Sequence, residues 1–465
     1  MAKRRTTPIS SVPIAGSAAE SSPPPLQEQR LPRYTSYPPA TEFTAFDHNL
    51  YEQWLAELPA DDSVSLYLHI PYCRQLCWFC GCYTHITHHY SPVKDYLEVL
   101  LREIELVSRR IGNRLKVGHI HFGGGSPTIL EPDDFTRLMD MLYREFAIQP
   151  HAEIAIEIDP RTMNPEKCTA YAYNGVNRAS LGVQDFSARV QEAVNRIQPY
   201  EMVAEVVEQL RHAGIDRVNL DLMYGLPYQT LASLANTAEL AMTLEPRRLA
   251  VFGYAHVPWM RKHQRVLDEM PLAGPEERIR MSENLRAIFT GNGYTAIGID
   301  HYARKSDSMS KALSAKTLRR NFQGYTTDTA DTVLGFGLSA IGSLPGGYVQ
   351  NTMSSQEYRN AVNNGIVPAA QGRPVTPEDK MRREIISELM CYYRVDLRDV
   401  ADKHRNPNGF IREHALLLDL QTQEIIRIDG EVVTVTEKGR LFVRHVCAVF
   451  DQYLQSAQRR YSLSV

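Results

Sequence analysis

The chain predicts an α/β protein organised on a parallel sheet, with an arm before it and a small α+β domain after it. Three observations carry this. From Ser65 to about His301, short β-rich runs alternate with helical patterns, the order of parallel strands joined by crossover helices. Two joints, NGVNR at 174–178 and AGIDR at 213–217, place a glycine between helix and strand, as a helix C-cap requires. From about Thr376 the pattern changes to helices, a hairpin signal and a final helix.

In order, residues 1–30 are rich in Ser, Pro and Ala without hydrophobic periodicity and are expected as a disordered tail. An arm is expected over 31–64, and its opening LPRYTSYPPATEF reads as an extended packing segment. The main body spans 65–375. Its strands are expected at SLYLHI (65–70), HIHF (119–122), EIAIEID (153–159), RASLGVQ (178–184), RVNLDLMYG (217–225) and RLAVFGYA (248–255). The first helix is expected to be capped by Ser91, with Pro92 in its first turn and Gly112 at its end. Val93, Leu97, Leu100, Ile104, Val107 and Ile111 would form its buried stripe. RRNFQGYTT at 319–327 is expected as a loop. Over 376–465, helices and a hairpin turning at Asp429-Gly430 suggest a winged-helix-like lid.

With 465 residues, two or three domains and a large core are expected. A formal charge of −3, without a basic recognition helix, does not suit nucleic-acid binding. No apolar run approaches the roughly 18 residues of a membrane span. The basic start lacks the apolar region of a secretory signal, so a cytoplasmic location is expected; a monomer is the expected state, although no motif marks it.

The chemistry concentrates in YLHIPYCRQLCWFCGC, residues 67–82, where Cys73, Cys77, Cys80 and Cys82 lie within ten positions. Thiols this close suit one inorganic centre. A structural zinc needs four N or S ligands, usually as two pairs. Cys168, Cys391 and Cys447 are isolated, although His85, His88 or His89 could complete a local site. A disulfide lacks a secretory context. A four-iron cluster normally takes four cysteines, and CxxxCxxC at 73, 77 and 80 could bind three irons and leave the fourth open.

Ligands gather at the C-terminal ends of parallel strands. There, Gly123, Gly124 and Gly125 of GGGSPT would let backbone approach a ligand, or simply form a tight turn. Glu157 shares a strand face with Glu153, Ala155 and Asp159, and inside a barrel its charge would need a partner. Read singly, Gln184, Arg196, Asp221 and Ala255 are a strand end, a surface cation, a turn acid and a core alanine.

CxxxCxxC just after a hydrophobic strand resembles the radical S-adenosylmethionine (SAM) enzymes, in which the open iron chelates SAM. With the fourth cysteine of CxxxCxxCxC, PRYTSYP, GGGSPT for the usual GGGTPT, NFQGYTT and GFGLSAI, the chain is similar to the oxygen-independent coproporphyrinogen III oxidase family. The resemblance implies a partial (β/α)6 barrel of radical SAM type. It implies one 4Fe-4S cluster on Cys73, Cys77 and Cys80, with Cys82 outside the ligand set. It further implies two SAM molecules, with contacts from Tyr67, Phe79, Gly123, Gly124, Gly125, Glu157, Gln184, Arg196, Asp221, Ala255 and Ile341. Coproporphyrinogen III would be the substrate and an electron donor the partner. A related haem chaperone shares CxxxCxxC but usually lacks the fourth cysteine, so Cys82 favours the enzyme.

Overall fold

The computed structural model describes residues 25–407, 409–454 and 461–463. Six parallel strands follow one another in sequence and in space: β1 (Ser63–Ile70), β2 (Lys116–Gly124), β3 (Ala147–Ile158), β4 (Arg178–Gln184), β5 (Arg217–Tyr224) and β6 (Arg248–Gly253). A seventh, β7 (Thr332–Phe336), lies parallel to β1 on its other side. Antiparallel strands extend both edges, giving this sheet thirteen strands among the described residues.

Alternation along the six strands separates core from lumen. Leu66, Leu68, Ile120, Phe122, Ile154, Ile156, Leu220 and Leu222 are buried in the core beneath the helices. Tyr67, His119, His121, Glu157 and Asp221, at intervening positions, line a cavity inside the sheet's curve. A one-residue register slip would exchange the two sets. Glycines with φ of +86° (Gly175) and +95° (Gly214) close the helices before β4 and β5, as expected at those joints.

Helix α1 (Ser91–Ile111) buries its stripe from Val93 to Ile111 and ends at Gly112, φ +73°. Ser91 begins the helix rather than capping it, and Tyr90 takes the cap position. The Tyr90 hydroxyl donates to Asp134 at 2.6 Å and accepts from the Glu131 amide at 3.0 Å, fixing the helix start against α2 (Pro132–Glu145). Farther along α1, Glu103 is 1 % exposed and accepts from Gly337 N (2.7 Å), Asn351 Nδ2 (2.6 Å) and the Tyr358 hydroxyl (2.5 Å). It thereby fastens the turn after β7. Glu103→Ala would strand three buried donors, and urea denaturation should show a loss on the order of 3 kcal/mol.

The C-terminal part has its own core. Helices Pro377–Tyr392, Leu397–Lys403 and Ile411–Thr422 precede the hairpin Ile426–Asp429/Val432–Val435, whose third strand is Arg394–Asp396. Tyr34 and Tyr37 of the arm are buried in this core. RRNFQGYTT is a hairpin (Arg319–Asn321, Gly324–Thr326) rather than a loop. Tyr325 donates to the Met390 carbonyl and Tyr392 to the Leu318 carbonyl, both at 2.8 Å, holding it against the C-terminal helices. Of the expected tail, residues 1–24 lie outside the described residues. Its last part is held instead of disordered: Leu26 O meets His445 Nε2 at 2.9 Å, and Arg30 donates to Tyr461 O at 3.0 Å.

Candidate active site

The loop after β1 carries the cysteines. A short ladder, Tyr72–Cys73 with His85–Ile86, closes it. The glycine run of β2 packs on its root: Gly125 N donates to Ile70 O and Ser126 N to Tyr72 O, both at 2.9 Å. A Cβ on Gly125 would lie 2.9 Å from the Tyr72 backbone, so only glycine fits. Across the loop, Asn195 Nδ2 donates to Leu76 O (2.7 Å), Gln264 Nε2 to Phe79 O (2.9 Å), and His263 Nε2 meets Cys80 O at 2.8 Å.

Cys73 Sγ accepts from the Thr84 hydroxyl at 3.3 Å. Cys77 Sγ accepts from Arg196 Nη1 (3.5 Å) and Arg161 Nη2 (3.7 Å), and both guanidiniums also pair with Asp159. Burial and the neighbouring Cys80, Asp159 and Cys77 push the Cys73 thiol up to about 12. A hydrogen bond with Cys82 brings Cys80 down to about 7. No three His, Cys, Asp or Glu side chains among the described residues converge on a single metal ion. Three thiols of one loop, with two guanidiniums on Cys77 to offset thiolate charge, suit a polynuclear cluster.

Beneath the loop lies the lumen, about 200 Å³. Glu157 Oε1 meets His121 Nε2 at 3.1 Å, and Oε2 accepts from Gly124 N at 3.2 Å. Tyr67 stacks on His121 and its hydroxyl meets His69 Nδ1 at 3.0 Å. Gly123 sits between Tyr67 and Glu157, where a Cβ would lie 3.1 Å and 3.0 Å from them. Asp221 accepts from Ser180 (3.0 Å) and Asn219 (2.8 Å). Ion pairs Glu153–Arg178 (2.9 Å) and Arg248–Asp307 (2.7 Å) close the far end.

Tyr67, Gly123, Gly124 and Glu157 therefore form one group, with Asp221 across the same lumen. Gln184 and Arg196 form a second group at the end of β4, both beside Gly182. Arg196, expected as a surface cation, is only 8 % exposed because Gly182 O and Asp159 engage it from inside. Phe79, which packs with Val190, Val194 and Leu267, is joined to Ala255 through Gln264, whose Nε2 donates to the carbonyls of both (2.9 and 3.3 Å), while Ile341 stands apart, lining a cleft of about 790 Å³. His121, Ser180, Asn219 and Arg161 were not anticipated. The alternation that singled out Glu157 points to the first three as well; Arg161 carries no such pattern.

Burial, then the charge of Glu157, raises Asp221 to about 6. Folding thus favours its protonated form. That contribution is complete below the unfolded value near 4 and is lost as pH rises through about 6. The ligand-free protein should lose stability across that window. Asp221→Asn should remove the slope and raise stability at pH 7 by on the order of 2 kcal/mol, measured by thermal melts against pH.

A strand-borne cysteine loop above a polar half-barrel defines a radical SAM protein, and residues 67–241 match the model of the Radical SAM superfamily. The oxygen-independent coproporphyrinogen III oxidase of Bradyrhizobium diazoefficiens is 46% identical over 440 residues, covering 94% of this chain and 98% of the relative. That of Escherichia coli is 37% identical, covering 93% and 95%. The solved structure of coproporphyrinogen III oxidase from Escherichia coli, described as a radical SAM enzyme, superposes with a TM-score of 0.86 at 36% identity, covering 92% of this chain and 100% of that one. The chain belongs to the oxygen-independent coproporphyrinogen III oxidase family.

Proposed function

We propose that this protein converts two propionate side chains of coproporphyrinogen III to vinyl groups without dioxygen, giving protoporphyrinogen IX for haem biosynthesis. The observation that carries this is the placement of the Cys73, Cys77 and Cys80 loop directly over the polar group of Tyr67, Gly124 and Glu157. Those cysteines would hold a 4Fe-4S cluster. Loaded with cluster and SAM, the site would supply radical chemistry that removes a β-hydrogen from a propionate; carbon dioxide would then leave while one electron passes to an external one-electron acceptor, giving the vinyl group.

The chain's own residues bind and orient. Glu157, held by His121 and Gly124 N, offers its carboxylate to the amino or ribose groups of a SAM. Gln184, Arg196, Asp221 and Ala255 would contact a second SAM that serves the second propionate, Ile341 would contact the first, and Phe79 would add a further SAM contact. The cleft of about 790 Å³, bordered by Tyr34, Phe322 and Gln323, falls in the size range of ligand pockets and suits the macrocycle. The C-terminal domain would cover this mouth. An electron donor, a monomeric state and a cytoplasmic location complete the reading, and no helix among the described residues is long and apolar enough to cross a membrane.

Anaerobic incubation with SAM and coproporphyrinogen III tests the reaction. Two molecules each of methionine and 5′-deoxyadenosine are expected per protoporphyrinogen IX, one pair for each propionate. SAM cleavage without vinyl formation, or tight haem binding without turnover, would contradict the proposal.

A further inference from the structure

One wall of the large cleft belongs to the C-terminal domain, whose helix Pro377–Tyr392 contributes Lys380, Arg383 and Ser387. Spacings of three and four residues put them on one helical face. We propose that Lys380 and Arg383 anchor the two propionates that the reaction leaves intact, so that the C-terminal domain reads the substrate as well as covering it; the assignment rests on the oxidase reading above.

Both cations lack a carboxylate partner among the described residues, because the acids around them are engaged elsewhere. Glu378 and Glu413 pair with Arg382 at 2.6 and 2.9 Å. Asp379 accepts from Thr376, Gln452 and Tyr453. Glu384, one turn beyond Lys380, has Lys403 on one oxygen and His404 on the other, both at 2.8 Å. Of the remaining acids that line the cleft, Asp331 pairs with Arg319 at 2.7 Å, and Asp328 accepts from Ser65 and meets His119 at 3.3 Å. Glu388 lies about two turns from Lys380, roughly 12 Å along the axis, where burial and Glu384 raise it.

The surroundings match a ring with charged arms. Arg383 Nη1 donates to the Tyr348 hydroxyl at 3.1 Å, with the guanidinium 5.8 Å from the centre of that ring. Phe322 meets the same ring edge-on at 5.7 Å. Arg383 is thus half-buried and steadied on an aromatic wall, while Lys380 is exposed at the rim. Aromatic surface suits the macrocycle and a steadied guanidinium suits a carboxylate. Location decides which carboxylate. Asn321, Gln323, Thr326 and Asp328 line both the cleft and the lumen, and there the ring's reacting edge would face the SAM groups. Lys380 and Arg383 line the cleft and not the lumen, which assigns them the propionates that do not react.

Fluorescence titration of two stable porphyrins into the full-length protein tests this: coproporphyrin III, with all four propionates, and protoporphyrin IX, with only the two that survive the reaction. Arg383→Gln should weaken binding of both about tenfold or more, Lys380→Gln, exposed and screened, about threefold, and Arg383→Lys should recover part of the loss. The tetraamide of coproporphyrin should not distinguish the variants. A loss confined to coproporphyrin III would put the cations on the reacting propionates and overturn the proposal. Equal weakening of the tetraamide, or unchanged affinity when both residues are replaced by Gln, would overturn it too. Titration does not require turnover, so the two readings fail separately. A wild type that binds both porphyrins in an Arg383-dependent way without forming vinyl groups refutes the oxidase and retains the anchor, whereas vinyl formation with unchanged affinity in the variants does the reverse.

Discussion

Cys80→Ala should abolish both the iron–sulfur absorbance and all SAM-dependent turnover, whereas Cys82→Ala should keep the cluster. Cys73, Cys77 and Cys80 lie in one loop with their sulfurs close enough for the charges of Cys77 and Cys80 to act on Cys73. Removing one leaves two thiols for a centre that requires three. Cys82 stands beside Cys80 as a hydrogen-bonding neighbour, and on the three-ligand assignment its loss would alter the surroundings of a ligand without subtracting one. Anaerobic reconstitution followed by iron and sulfide analysis and electron paramagnetic resonance separates the two. A Cys82→Ala protein that assembles no cluster would show the three-ligand assignment to be wrong.

Glu157→Gln should leave the cluster signals intact and weaken SAM binding about 10–100-fold, the range for a hydrogen bond to a charged group. The carboxylate projects into the lumen from β3, and its acceptors are satisfied by His121 and Gly124 N. An amide offers an N–H where an acceptor is needed, so it upsets these contacts as well as those to a ligand. Equilibrium dialysis with SAM on cluster-loaded protein reads the effect. Wild-type affinity in the variant would remove Glu157 from the site.

The parallel sheet was legible because period-two alternation and left-handed glycines are local signals. β4 runs from Arg178 to Gln184 as its residues suggest, and Gly175 and Gly214 adopt the φ their positions demand. β7 was not legible: its partner β1 lies far away in sequence, and five residues, TVLGF, give too little pattern to announce a parallel strand. Arg196 read as a surface cation because nothing local tells of Asp159 and Gly182 O, which surround it only once β3 and β4 are paired. Around the cysteines the reverse holds. There the cysteines lie within one loop, so spacing alone pointed to an inorganic centre, and folding adds Arg161, Arg196 and Thr84 around them.

One measurement bears most directly on the whole account: chromatography of the products when anaerobically reconstituted protein, a low-potential reductant and SAM act on coproporphyrinogen III. Protoporphyrinogen IX, absent from the Cys80→Ala control, is the expected product. Unchanged coproporphyrinogen III in the presence of protein with a full cluster and intact SAM binding would contradict it.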